Sequence, residues 1–387
     1  MSAVRVPLTD VTLGEEEALA AAEVIRSGWV TQGERVAAFE RAFAEMVGVE
    51  HAVAVSNCTV GLELAYAAAG VQRDDEVIVP ALTFVATANA ARRLGATPVF
   101  ADVRSDDDLT VDPGDVAAKL SPRTRAVVAV HYAGFAADVG AIRAALDAAG
   151  RSDVTLVEDC AHAPAASARD GVGRCGALGD VGAFSFFGNK NLTTGEGGML
   201  TTRDASRATA LRLARSHGMT TGTWDRHRGH AFTYDVVEVG TNARMDETRA
   251  AVGLVQLGKL AAANARRGVV RGWYLDAIAA RPSLAEVRVP FSRGAYGGSA
   301  HHLFVVLLPH GVDRAAVMAG LRERGVQSSV HYPPTHRFSA YEGARVTLPV
   351  TDAVAPRLLT LPLGPRMTRD DVDVVLDALQ ATLGHHP

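Results

Sequence analysis

"HAVAVSNCTVGLELAYAAAG", residues 51–70, decides the fold. Its opening run is apolar on both faces, as in a strand buried inside a mostly parallel sheet. The second part has the composition of a helix and closes at Gly70, a residue that enters the left-handed region without a Cβ clash. Between them stand Ser56, Asn57, Cys58 and Thr59, polar residues at a strand's carboxyl end and a helix's start.

The unit recurs along the chain. "DEVIVP" (75–80) leads into "TFVATANAARRLG" (83–95). "TPVFADV", "RAVVAVHYAG", "VTLVED", "VGAFSFFG" and "GGMLTT" follow as further strand candidates. Repeated strand–helix–strand units imply an α/β domain, a mostly parallel sheet covered by helices. From about Met245 the pattern changes. Residues 245–282 read as one long helix, with Ala250, Leu254, Leu257 and Ala261 as its apolar stripe. "HHLFVVLLP" and "VQSSVHY" read as strands, and "DRAAVMAGLRERG" as a helix capped by Asp313 and stopped by Gly325. The last helix opens on Thr368 and Asp371, spaced as a capping box. We therefore expect a large domain over residues 1–245, and a long helix plus a small C-terminal α/β domain over 246–387.

Bulk properties narrow the function. The 387 residues are 48% hydrophobic, enough for a large core and a smaller second one. With 39 Lys+Arg against 43 Asp+Glu and no basic block, nothing favours nucleic acid or an anionic membrane as partner. No apolar run reaches the roughly 18 residues of a membrane span. The start, "MSAVRVPLTD", lacks a signal-peptide pattern. Cys58, Cys160 and Cys175 show no paired spacing, which suits a reducing cytoplasm. The closing "GHHP" is no metal tract, and no metal is expected.

In open parallel sheets, ligands gather beyond the carboxyl ends of the strands. Three groups stand there. "SNCT" opens a helix, whose free N–H groups attract phosphate, although ordinary capping by Ser56 or Asn57 explains it too. "VEDCAH" puts Glu158 and Asp159 at a buried strand end, where Asp159 would hold a protonated ring nitrogen or serve a salt bridge or cap. His162 would pack over a ring or be a satisfied core histidine. In "AFSFFGNKNLTTGEGGML" (183–200), Lys190 follows Phe184, Phe186 and Phe187. Desolvation there would lower its pKa and free the amine for attack on carbonyls, whereas a snorkelling lysine would merely cover apolar surface. Together the three groups are the parts that hold pyridoxal phosphate: lysine for the aldehyde, carboxylate for the pyridine nitrogen, helix start for the phosphate.

The chain resembles the DegT–DnrJ–StrS aminotransferases, a branch of the fold-type-I enzymes that use pyridoxal 5'-phosphate (PLP), often on keto sugars. "SGWVTQGERVAAFERAFAE", "DEVIVPALTFVATANA", "VEDCAHAPAA", "FSFFGNKNLTTGEGGML", "RSHGM", "VHYPPTH" and "LLTLPLGPRMTRDDVD" carry the resemblance over nearly the whole length. It implies a fold-type-I transferase with a seven-stranded-type sheet. It implies Lys190 as the Schiff-base lysine, Asp159 at the pyridine nitrogen, His162 at the family's Gln/His position and Phe84 stacked on the ring. Cys58, Thr59 and Ser185 would hold the phosphate, and Asn242 would reach it from the second subunit of a homodimer. Trp29, Thr31 and Gly33 would line the substrate mouth, with His331 and Tyr332 near the sugar.

Three positions depart from the pattern. Cys58 stands where Gly is usual, Thr241 where an aromatic is frequent, and Arg249 where Gln is common. The implied reaction moves an amino group from L-glutamate or L-glutamine to a keto sugar, carried on a nucleotide, in amino-sugar or antibiotic biosynthesis. Arg226, His227, Arg228 and His230 would then serve a diphosphate or form a solvated loop. A keto-cyclitol or keto-sugar phosphate is the alternative acceptor. Of other classes, a sugar dehydratase of this family carries histidine at the Schiff-base position, unlike Lys190, and a PLP- or sugar-binding sensor would show no turnover.

Overall fold

The computed structural model describes residues 4–221, 229, 233–294, 296–343 and 346–384. The runs read as strands form β1 (His51–Val55), β2 (Glu76–Pro80), β3 (Thr97–Ala101), β4 (Thr124–Val130), β5 (Thr155–Asp159), β6 (Val181–Ser185) and β7 (Gly198–Thr202). They make one seven-stranded sheet, ordered β1-β7-β6-β5-β4-β2-β3. Pairings β2–β3, β2–β4, β4–β5 and β5–β6 are parallel, and β7 runs antiparallel to both β1 and β6. The reason is the link 186–197. A parallel return needs a crossover, usually a helix, and this link holds none, so the chain doubles straight back.

Helices α1 (Glu15–Ser27), α2 (Glu34–Val47), α3 (Cys58–Ala68), α4 (Ala86–Arg93), α5 (Pro113–Ala118), α6 (Val139–Ala148) and α7 (Ala205–Ala214) precede the long α8 (Glu247–Ala279). Because side chains alternate along a strand, each strand feeds two cores. In β2, Val77 and Val79 pack with Leu62 and Tyr66 of α3, while Ile78 packs with Ile142 and Leu146 of α6. Phe184 and Met199 join Phe39 and Phe43 of α2 and Leu260 of α8 in a third cluster.

The rest of the chain forms α9 (Arg314–Glu323), α10 (Pro349–Val354), α11 (Arg369–Leu383) and an antiparallel pair, β8 (Phe304–Leu307) with β9 (Leu358–Leu361). Val270, Tyr274 and Ile278 of α8 pack here with Val306, Leu321 and Leu376, and the Tyr274 and Phe304 rings stack at 4.2 Å. Asp313 caps α9, and Thr368 with Asp371 closes the expected capping box.

Two expectations need correction. "VQSSVHY" is not a strand: it makes two isolated bridges, Val326 to Val6 and Ser329 to Thr360. The stripe on α8 is also misplaced. Ala250 is buried, but Leu254 and Leu257 are half-buried and Ala261 is exposed. The inward face is Gln256, Leu260, Asn264, Arg267, Val270 and Tyr274, so three polar residues point into the protein. No helix among the described residues is long and apolar enough to cross a membrane.

Candidate active site

Strands β5 and β6 end side by side, with Asp159 paired to Ala183. Alternation sends Glu158 and Asp159 to opposite faces. Glu158 is a brace. Its Oε1 accepts from the N–H groups of Leu178 and Gly179, and its Oε2 accepts from Gly176 N–H and from His131 Nε2 at 2.8 Å. Ala137 N–H donates to His131 Nδ1, which places the ring proton on Nε2. The ligand atoms of His131, Glu158 and Cys160 lie within 4.8 Å of one another, yet the His131 and Glu158 side chains have their lone pairs filled, leaving none for a cation.

Asp159 faces the other way and keeps capacity. Thr87 Oγ1–H donates to Oδ2 at 2.8 Å and Ala161 N–H to Oδ1 at 3.1 Å. Thr87 is itself fixed by Thr83 Oγ1 at 3.1 Å. Each carboxylate oxygen accepts two hydrogen bonds, so Asp159 has room for a further N–H donor. Burial pushes its carboxyl above the usual range, and Thr87, Ala161 and the nearby Lys190 pull it back.

The chain has three lysines. Lys119 pairs with Asp115, and Lys259 with Glu16 and Glu17. Lys190 makes no ion pair among the described residues. Burial lowers its pKa to about 8, against the pull of Asp159. The aromatic run does not supply that burial as expected. Phe184 and Phe186 turn inward against Phe43 and Phe39, at 4.8 and 5.3 Å between ring centroids, and Phe187 is exposed. The titratable groups coupled to the amine by charge are Asp159, Cys58 and the imidazoles of His162, His302 and His331.

Asn57, one of the two residues offered as an ordinary cap, does cap α3: its Oδ1 accepts from Val60 N–H at 3.0 Å. The N–H groups of Cys58 and Thr59, in the first turn, have no acceptor within the helix. Gly198 brings β7 against them. Any side chain there would stand 2.8 Å from Asn57 C and 2.9 Å from Cys58 N. Ser185 pairs with Gly198, which also pairs with Val55, so its hydroxyl stands at the edge where α3 begins. The Cys58 thiol is buried, and burial together with Asp159 pushes its pKa up, so it stays neutral.

A third wall is aromatic. His162 is buried, and Ala133 N–H donates to its Nδ1 at 3.3 Å. Its Nε2–H therefore donates to Tyr332 Oη at 2.9 Å. Tyr332 lies 5.6 Å from the half-exposed ring of Phe84. His331 meets Thr360 Oγ1 through Nδ1 at 3.0 Å, and its carbonyl accepts from Tyr132 O–H. Burial and Lys190 hold its pKa at about 4.

Not every expected residue joins this group. Gly33 N–H, Arg35 N–H and Val36 N–H donate to the Glu247 carboxylate, which fastens the loop before α2 to the start of α8. Trp29 Nε1–H donates to Gln32 O on that loop, and Thr31 is exposed. Asn242 is exposed and bridges Ser216. Arg226, His227, Arg228 and His230 lie outside the described residues. Conversely, Asn191, Asn264 and His302 form a hydrogen-bonded chain that starts at the lysine's neighbour and were missed; for Asn264 and His302 the signal was a polar residue inside a stretch read only as an apolar element.

The arrangement suits a flat ring with a protonated nitrogen at Asp159, a carbonyl at Lys190 and a dianion at the start of α3. The unfilled acceptor sites of Asp159 and the close approach at Gly198 both fit PLP. The DegT/DnrJ/EryC1/StrS aminotransferase family matches residues 11–380. The spore coat polysaccharide biosynthesis protein SpsC of Bacillus subtilis (strain 168) is 38% identical over 377 residues, 95% of this chain and 94% of that one. The crystal structure of the aminotransferase TlmJ from Streptoalloteichus hindustanus superposes with a TM-score of 0.88 at 36% identity, covering 98% and 99% of the two chains. The structure of DesI in the presence of its TDP-sugar product gives 0.85 at 32% identity, covering 97% and 92%. The chain belongs to the DegT/DnrJ/EryC1/StrS aminotransferase family and is an aminotransferase.

Proposed function

We propose that this aminotransferase works with PLP bound at Lys190 and moves an amino group from L-glutamate or L-glutamine to a keto sugar carried on a nucleotide. The observation that carries the reading is Lys190: the one lysine without an ion pair among the described residues, with an amine near pKa 8, facing a buried carboxylate. SpsC belongs to polysaccharide biosynthesis and DesI makes a TDP-sugar, which supports the acceptor class.

When bound, PLP supplies an aldehyde that receives the amino group and a ring that accepts the electrons of the broken C–H bond. The protein does the rest. Asp159 holds the proton on the ring nitrogen. The N–H groups of Cys58 and Thr59, with the Ser185 hydroxyl, bind the phosphate at a helix start. Phe84 and His162 would lie beside the ring. Lys190 Nζ would take the proton from the donor's α-carbon and deliver it to the carbon on the far side of the transferred nitrogen, a transfer suited to an amine whose pKa lies near the working pH. Tyr332 accepts from His162, so its own O–H is left to donate into the cleft, toward the acceptor.

Asn242 belongs to the same reading as a phosphate contact of a second copy. The exposed Val236, Val237 and Val239 beside it support a homodimer contact there. Trp29, Thr31 and Gly33 line the mouth in that dimer, and the division at 245/246 separates the large from the small unit. Three free thiols support a cytoplasmic setting. The test is a panel of nucleotide-linked keto sugars, keto-sugar phosphates and keto-cyclitols, each with glutamate or glutamine. Amination confined to the nucleotide-linked members supports the reading; amination of free cyclitols alone overturns the acceptor class.

A further inference from the structure

Lys190 does not hold itself in place; its neighbour is fastened instead. Asn191 is 4% exposed, and both its N–H bonds are used. Nδ2 donates to Asn264 Oδ1 on α8 at 2.8 Å and to Ala300 O at 2.7 Å. Asn264 in turn donates to Pro164 O at 3.0 Å, so neither amide has freedom to flip. Asn191 Oδ1 is thereby left as an acceptor, and the atom facing it at 2.9 Å is His302 Nδ1. The hydrogen of that bond must sit on Nδ1.

His302 is 5% exposed, and the titratable groups that act on it by charge are Lys190, His162, Arg267 and His331. Burial and these neighbours push its pKa well below the usual histidine range, so the ring is neutral and Nε2 bears only a lone pair. Its face meets His162, with centroids 4.4 Å apart and planes inclined by 36°. The two histidines are opposite tautomers: Nδ1–H in His302, Nε2–H in His162. Arg267, three residues beyond Asn264 on α8, is 4% exposed and has a buried Nη1 with no partner among the described residues. Burial lowers its pKa to about 10, so it stays positively charged at neutral pH.

We propose that His302 is a positioning residue for amino transfer: its Nδ1–H fixes Asn191, and through it the backbone of Lys190. The inference rests on Lys190 as the reacting amine. Without the Nδ1 donor, a buried carbonyl oxygen loses its only partner, and the amide that follows the lysine keeps two of its three hydrogen bonds, so it is held less tightly.

Asparagine and glutamine separate the two ring nitrogens, since one amide reaches the Nδ1 position and the other the Nε2 position. Wild type, His302→Gln and His302→Asn are compared in two ways. The loaded enzymes give kcat and the donor KM. The cofactor-free proteins give the pH midpoint for acetylation of Lys190 by acetic anhydride, read by peptide mass spectrometry, about 8 in the wild type. His302→Gln lowers kcat about tenfold with the donor KM little changed. It also moves the midpoint by about half a unit or more. His302→Asn restores most of both. A folded His302→Gln with wild-type kcat and midpoint overturns the inference, as does an Asn variant as impaired as the Gln variant. If His302→Gln does not fold, Asn264→Ser reports on the same amide chain, and a wild-type midpoint there is equally contradictory. Borohydride labelling separates the failures. No pyridoxyl group on Lys190 removes the reading of the site, whereas a labelled Lys190 with an unmoved midpoint in His302→Gln removes this inference alone.

Discussion

Two regions meet at Asn191: the stretch 183–200 carries it, and α8 grips it through Asn264 at 2.8 Å. The first region exposes its chemistry in the sequence. An apolar strand ends, a lysine follows, and glycines return the chain. The second hides it. In α8 the residues facing the protein include Gln256, Asn264 and Arg267, while Leu254 and Leu257 lie along its half-buried flank. A strand-end site is built from neighbours in sequence. A helix that supports a site spends part of its inward face on polar side chains, which breaks the apolar period that would reveal that face.

The contrast can be broken at the lysine first. Lys190→Ala should lower amino transfer by about 10⁴-fold or more in single-turnover assays with glutamate, since it removes both the amine that holds the cofactor and the proton carrier. An undiminished rate would place the chemistry outside this stretch. Asp159→Asn should cost about a hundredfold. It should also drop the Lys190 acetylation midpoint below about 8, because the Asp159 charge raises that pKa. A midpoint that rises would mean that the Asp159 charge does not stabilise the ammonium.

A quieter consequence concerns stability. Lys190 titrates at about 8 in the fold and at 10.5 when free. Between those values the unfolded chain binds a proton that the folded one does not, so this group's penalty shrinks as pH climbs from 8 to 10.5 and is complete below 8. Lys190→Met in the cofactor-free protein should therefore raise the urea midpoint at pH 7, and the gain should fade toward pH 10.5. A gain that grows with pH would reverse the sign. Smallest are the effects that sharpen the comparison within α8. Asn264→Leu strands the Asn191 amide and should cost about 2 kcal/mol in urea unfolding. Leu257→Ala, on the half-buried flank, should stay within about 1 kcal/mol. Equal costs would mean that the polar face does not hold the site.

Most of the architecture was legible because apolar runs and caps are local. Asp313, Thr368 and Gly70 end or start helices by their own side chains or by the absence of one. The antiparallel β7 was not legible from its composition, which looks like its neighbours'; its direction follows from a link without a helix. "VQSSVHY" has the residues of a strand but lacks a continuous partner. In the site, Lys190 and Asp159 could be read as residues, and the Phe84, His162 and Tyr332 wall through family resemblance. The source of the lysine's desolvation was misread, because alternation turns Phe184 and Phe186 away from it. His302 escaped because its partner lies 111 residues away in the chain. Long-range hydrogen bonds leave no spacing to find.

The most direct measurement is borohydride reduction of the native, cofactor-loaded protein, followed by digestion and mass spectrometry. With three lysines in the chain, the outcome is unambiguous. A pyridoxyl group on the peptide that contains Lys190 is the expected result. A label on Lys119 or Lys259, or none in protein that has taken up the cofactor, would contradict the account.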